Sequence, residues 1–209
     1  MTIIVDYGAG NLRSVVNSAL SLGKKVKVSD SLAIIEKAKK IILPGVGHFA
    51  EAVKELKKRK IFSILKKKIK EGTPFLGICI GMQLLLEESQ EAEGVQGLGA
   101  IKGKVKRFKA KNLIVPHMGW NQVEIDHRSS ILDPRRGRDL FMGIEDNNFF
   151  YFAHSYYCDL KEKQAILATT NYGINFVSAL HKENIWGVQF HPEKSQKLGL
   201  KVFSNFLNL

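Results

Sequence analysis

The chain is poor in cysteine, tryptophan and acidic residues: two Cys, two Trp, and 20 Asp plus Glu against 32 Lys plus Arg in 209 residues. Cys79 and Cys158 form no CxxC pair and no disulfide framework of the kind small secreted domains need. Neither has His or Cys neighbours at zinc spacing, so no metal is expected. No apolar run reaches the ~20 residues of a membrane helix. The start, "MTIIVDYGAGN", lacks the basic, apolar and small-residue zones of a signal peptide. A cytoplasmic protein with no membrane partner is the expectation. The acidic deficit leaves a net charge of +12, which raises nucleic acid as a partner. That charge concentrates in "KELKKRKIFSILKKKIKEG" (54–72), where Leu56, Ile61, Ile64, Leu65 and Ile69 recur at roughly helical spacing. The lysines then fall on a solvated face. No RNA- or DNA-binding signature accompanies them, so no nucleic-acid partner is expected.

What is present suits one domain over 1–209, with 44% apolar residues to fill a core. The first half alternates strand and helix. "TIIVDY", "KVKVS", "KIIL" and "TPFLGI" read as strands. "NLRSVVNSALSLG", "SLAIIEKAKK", the Lys-rich stretch and a segment from Gly81 to Glu88 read as helices. Such alternation implies a parallel sheet with helices on both faces. The second half reads as strands with short connections: "KVKRF", "NQVEI", "NFFYFAHSYYC", "AILATTNY", "FVSALHK" and "IWGVQF". A closing helix, "KSQKLGLKVFSNFLNL", follows. The fold class is therefore α/β, a mostly parallel sheet with an added antiparallel portion. Residues 127–148 are the least regular and read as a long surface excursion.

Three segments carry chemistry. In "GICIG", glycines two before and two after Cys79 relieve the crowding of a sharp strand-to-helix turn, which would expose the sulfur at the sheet's end. The positive end of the following helix favours thiolate. A small buried apolar residue is the commoner fate of a free Cys. In "GVQFHPEKS", His191 and Glu193 are two apart, so an extended backbone points both to one side. A carboxylate on one ring nitrogen fixes the tautomer and leaves the other free to take a thiol proton. In "ILPGVGHF", a strand runs into a Pro-Gly-x-Gly turn whose unpaired N–H groups suit an oxyanion, together with the amide of Ile80. A nucleophile, an oriented base and an oxyanion loop are the parts of cysteine acyl transfer. The rivals are weaker. His154, His48, His117, His127 and His181 have no carboxylate at such spacing, and Cys158 lies in an aromatic strand. "DYGAGN" has Arg13 where a dinucleotide loop needs its third glycine, so no nucleotide cofactor is expected.

GxCxG followed by HPE resembles the triad (class I) glutamine amidotransferases. "DYGAGNLRSV", "LPGVGHF", "PHMGWN" and "YFAHSYY" extend the resemblance over nearly the whole chain, toward the branch that serves histidine biosynthesis. The resemblance implies a flavodoxin-like three-layer fold and no cofactor. It makes Cys79 the nucleophile, His191 the base and acid, and Glu193 the orienting carboxylate. Val46, Gly47 and Ile80 would form the oxyanion hole. Gly45, Gly47, Gln83, Glu91, Ser155 and Tyr156 would hold L-glutamine. Cys79, Gln83, Glu87 and Glu91 would share one side of a helix if it persists that far. The implied partner is a separate cyclase with a (β/α)8 barrel, forming a heterodimer through Asn11, Trp120, Asn121 and Lys194. The long 127–148 stretch departs from the family pattern. A glutaminase feeding another synthase, such as the pyridoxal phosphate one, and a non-catalytic binding module on this fold stay open.

Overall fold

Short strands that are apolar on both faces build the first half. The computed structural model describes residues 1–109, 113–126 and 138–209. β1 (Thr2–Val5), β2 (Val26–Ser29), β3 (Lys40–Leu43) and β4 (Phe75–Ile78) pair in parallel, in the order β2-β1-β3-β4. Strands covered on both sides need apolar residues at every position, and β1 and β4 are buried throughout. Alternation still sorts the faces. Ile3 and Val5 join one apolar cluster, while Ile4 joins the other. Helices α1 (Leu12–Ser21), α2 (Leu32–Glu36), α3 (Phe49–Lys58) and α4 (Ile61–Lys70) make the crossovers.

The second half supplies β5 (Glu88–Ser89), β6 (Ala92–Gln96), β7 (Gly103–Arg107), β8 (His117–Ile125), β9 (Asn148–His154), β10 (Tyr156–Leu160), β11 (Ile166–Asn171), β12 (Asn175–Lys182) and β13 (Ile185–Val188). β13 returns parallel to β4, with Ile185 opposite Phe75 and Val188 opposite Ile78. The order β2-β1-β3-β4-β13 is the flavodoxin-like arrangement. Antiparallel pairing continues from β13 through β12 and β10 to β7, β5 then pairs with β7 in parallel and with β6 antiparallel, and β11, β8 and β9 branch from β12. The chain is thus α/β with a parallel half and a mostly antiparallel half. Helix α6 (Arg138–Phe141) lies between β8 and β9, and the closing helix α7 (Gln196–Asn208) buries Val202, Phe203 and Phe206.

Several expectations need correction. The helix expected from Gly81 to Glu88 is only α5 (Ile80–Gln83). The carbonyls of Leu84, Leu85 and Leu86 are taken by N–H groups of Leu98, Ala100, Ile101 and Gly99, so they cannot continue a helical ladder. The chain then turns into β5 and β6, which the sequence reading did not anticipate. The Lys-rich stretch is two helices, because Lys60 adopts a left-handed φ of 60° between them. "NFFYFAHSYYC" splits at Ser155, where β9 pairs with β8 and β10 pairs with β7. Residues 127–137 lie outside the described residues. From 138 onward the expected surface excursion packs inward: Leu140 and Phe141 are buried, and the Asn205 amide donates to the carbonyls of Leu140 and Met142.

Candidate active site

The parallel registers bring three strand ends to one edge. Cys79 follows β4, His191 follows β13, and the Pro44–Gly47 turn follows β3. Cys79 has φ 54° and ψ −109°, a strained setting that an L-residue holds only when its surroundings enforce it. The glycines permit it. A Cβ on Gly77 would lie 2.5 Å from the Gly81 carbonyl oxygen, and one on Gly81 would lie 1.8 Å from that of Leu43. The Cys79 N–H donates to Val188 O at 2.8 Å, locking the turn to the neighbouring strand. With α5 only four residues long, a long helix's dipole is not what acts on this sulfur.

His191 Nδ1 sits 2.8 Å from Glu193 Oε1, and both side chains are almost completely buried. The route differs from the expected strand alternation: His191 is extended, but Pro192–Lys194 form a 3-10 turn that swings the carboxylate back under the ring. His191 itself is anchored, its N–H donating to Tyr151 O and its carbonyl accepting from the Ser195 hydroxyl. Burial lowers the pKa of the imidazole, but the Cys79 sulfur and the Glu193 carboxylate outweigh it and push it up to about 10. His191 Nε2 is buried without a partner that meets hydrogen-bond geometry among the described residues, even though the sulfur is near enough to affect its titration. Such contacts are commonly loose before substrate binds and tighten afterwards.

A cleft of about 240 Å³ opens over the sulfur, lined by Val46, Gly47, Cys79, Ile80, Gln83, Glu91, Ser155 and Tyr156, with His154, Ala153, Pro116 and Met118. This is below the roughly 300–1,000 Å³ of drug-sized sites and suits an amino acid. Gly45 is not on the lining. It packs beneath, where a Cβ would meet the Tyr7 hydroxyl at 2.0 Å. Glu91 reaches the cleft from the β5–β6 turn, so the shared helix side does not exist. Glu91 Oε2 accepts from Phe49 N–H at 2.7 Å, while Glu87 lies elsewhere and accepts from Gly103 N–H. Gln83 donates from Nε2 to Tyr156 O and to Gln189 Oε1, both at 3.1 Å. Its Oε1 is buried without a partner among the described residues. The N–H groups of Val46 and Gly47 make no backbone hydrogen bond among the described residues.

Asn11, Trp120 and Lys194 are exposed, and Asn121 is half-buried. Lys194 stacks its ammonium 5.4 Å over the Tyr151 ring, which Trp120 meets edge-on. Asn11 also caps α1, accepting from Ser14 N–H.

Three residues escaped the sequence reading. Gln189, fully buried, points Nε2 at the Cys79 sulfur at 3.7 Å. Ser195 holds the His191 carbonyl, and Tyr7 underlies Gly45. Gln189 had a signal: a polar residue inside an apolar strand end, two before His191. Among the described residues no three His, Cys, Asp or Glu side chains gather to hold a metal.

A strained cysteine elbow beside a buried His–Glu pair defines a cysteine-dependent acyl-transfer site, and the comparisons narrow the class. The glutamine amidotransferase class-I family model matches residues 3–209, and the chain belongs to that family. It is 45% identical over 210 residues to the imidazole glycerol phosphate synthase subunit HisH of Chlorobium chlorochromatii (strain CaD3), covering 100% of both chains. Against HisH of Methanocaldococcus jannaschii the identity is 44%, covering 99% of this chain and 98% of that one. Against HisH of Aquifex aeolicus it is 41%, covering 98% and 95%. Identity at this level over the whole length places the chain with the HisH subunits. Among solved structures, a glutamine amidotransferase matches with TM-score 0.74 and 19% identity over 99% of this chain and 97% of that one. PurLQS from Thermotoga maritima matches at 0.71 and 19%, with the same coverage. These two speak to the fold.

Proposed function

We propose that this chain is the glutaminase subunit of imidazole glycerol phosphate synthase, hydrolysing L-glutamine to glutamate and ammonia for histidine biosynthesis. The observation that carries it is the Cys79 elbow beside the buried His191–Glu193 pair, in a chain 45% identical to a HisH subunit over its full length.

His191, its pKa pushed up to about 10 by the Cys79 sulfur and the Glu193 carboxylate, takes the thiol proton of Cys79. The sulfur attacks the side-chain carboxamide carbon of glutamine, and the oxyanion is held by the N–H groups of Val46, Gly47 and Ile80. The imidazolium gives its proton to the departing nitrogen, releasing ammonia and leaving a thioester. His191 then takes a proton from water, whose oxygen attacks the thioester carbonyl, and glutamate leaves as the thiolate reforms. Glu193 keeps the ring oriented through Nδ1. Gln83 and the second oxygen of Glu91, both residues on the cleft lining, receive the substrate ammonium. Gly47, Ser155 and Tyr156 complete the wall, and Gly45 supports it from below.

The acceptor of ammonia is a separate cyclase with a (β/α)8 barrel, bound as a heterodimer over the mouth through Asn11, Trp120, Asn121 and Lys194. The exposed apolar residues Val46, Met118 and Trp120 beside the cleft support that surface. We place the enzyme in the cytoplasm and treat 1–209 as one amidotransferase domain. The test is glutamine hydrolysis by the purified chain, with and without the cyclase and its nucleotide. Turnover should be weak alone and strong in the complex. Cys79→Ser should abolish it with the circular dichroism spectrum unchanged; an active serine variant would refute the assignment.

A further inference from the structure

Two buried histidines take no part in the chemistry above, yet they are hydrogen-bonded to each other and to the cleft wall. We propose that Asn121, His117 and His154 form a hydrogen-bond chain of fixed direction that holds the Tyr156 carbonyl and ties the outer face of β8 to the glutamine cleft, making both histidines positioning residues. The proposal rests on the glutaminase reading for its functional half.

The direction follows from one end. His154 Nδ1 lies 2.7 Å from the Tyr156 carbonyl oxygen, which can only accept, so the ring proton sits on Nδ1. Burial holds this imidazole neutral, its pKa pushed down to about 3, so Nε2 is a bare acceptor. His117 Nδ1 lies 3.1 Å from that Nε2 and must therefore donate. Burial also holds His117 neutral, with a pKa of about 4, and its Nε2 accepts from the Asn121 amide at 3.2 Å. The same amide nitrogen donates to Asn171 O at 2.9 Å, and Asn121 Oδ1 accepts from Gln122 N–H at 2.8 Å. Every member is satisfied, and no ring can flip its tautomer without orphaning a neighbour.

The rings are clamped as well. His117 is stacked between Phe152 and Tyr172, with centroids at 4.8 and 4.0 Å, and His154 lies against Phe108 and Phe176. On the far side, the Tyr156 carbonyl also accepts from Gln83, which donates to Gln189, whose amide faces the sulfur. A displacement of Asn121, beside exposed Trp120, is thus transmitted through a stiff polar chain to the carbonyl that positions Gln83. A pair that merely filled space would have no preferred direction.

Long-range ¹H–¹⁵N correlation spectra of the unsubstituted, ¹⁵N-labelled chain read the tautomers without any activity. Both rings should carry their proton on Nδ1, and a proton on Nε2 of either overturns the proposal. Asn121→Ala should shift the His154 ring nitrogens and raise the KM for glutamine about two- to tenfold, the worth of one hydrogen bond, with kcat changed less. His154→Gln should act on the same parameter, and the double variant should be no worse than the worse single. An unchanged KM in Asn121→Ala, or effects that multiply, overturns the coupling. If His154→Gln does not fold, the spectra and Asn121→Ala decide alone. Failure of the glutaminase reading looks different: no turnover and no covalent labelling of Cys79 by a glutamine-analogue chloroketone, with the tautomer result intact.

Discussion

The turn that gives Cys79 its φ of 54° packs so tightly that neither Gly77 nor Gly81 leaves room for a side chain. Gly81→Ala would drive a methyl to 1.8 Å from the Leu43 carbonyl oxygen. Overpacking of this kind costs about 1–3 kcal/mol, and urea denaturation should show a loss at least that large. The imidazole beside it makes a second prediction. Part of what raises His191 is the sulfur's charge, so Cys79→Ser should lower its titration midpoint by about one to three pH units, read by NMR. An unmoved midpoint would mean that Glu193 alone charges the ring. Tyr7 makes a third. Its hydroxyl is buried with no partner among the described residues, so Tyr7→Phe should leave the melting temperature unchanged or higher. Cys79, His191 and Glu193 were legible in the sequence because sharp turns and short spacings are written in local text. Tyr7 and Gln189 were not, because their partners lie 38 or more residues away, and Ser195 was not, because its bond to the His191 carbonyl depends on a 3-10 turn where an extended strand end was expected.

Among elements, the parallel strands were legible and the segment after the nucleophile was not. "GMQLLLEES" has helix-forming residues, but the loop at 98–101 competes for their carbonyls and wins. β9 and β10 looked like one strand because pairing partners cannot be read from alternation alone. The β8–β9 ribbon carries a prediction of its own. His117 and His154 have folded pKa values of about 4 and about 3, below the ordinary 6.5. Below pH 6.5 the unfolded chain takes up protons that the folded chain refuses, so their contribution to stability falls as the pH drops toward 4. His191 has the opposite sign. Its folded pKa is raised, so its contribution is full below 6.5 and is lost as the pH rises toward 10. Urea midpoints should therefore decline on both sides of neutrality. His117→Gln should flatten the acid limb alone.

For the whole molecule, the decisive event is the return of β13 beside β4, which brings residues 79 and 191 together from opposite halves of the chain. That long-range pairing, not any local motif, assembles the site, and resemblance rather than periodicity made it foreseeable. The same topology separates the charge from the chemistry. Lysines of α3 and α4 pair with Glu51, Glu55, Glu36 and Glu71, whereas the cleft mouth carries Trp120, Met118 and Val46, all exposed. Association with a cyclase should then depend on the aromatic surface rather than on bulk charge. An exposed Trp that becomes fully covered is a typical hot spot, worth about 2 kcal/mol or more on truncation. Trp120→Ala should therefore weaken binding to the cyclase by about 30-fold, as measured by titration calorimetry. Raising salt across the physiological range should weaken it much less, because exposed ion pairs rather than apolar contacts are what salt screens. If salt proved dominant and Trp120→Ala neutral, the partner would sit on the lysine helices, away from the mouth, and ammonia would have no closed route from Cys79.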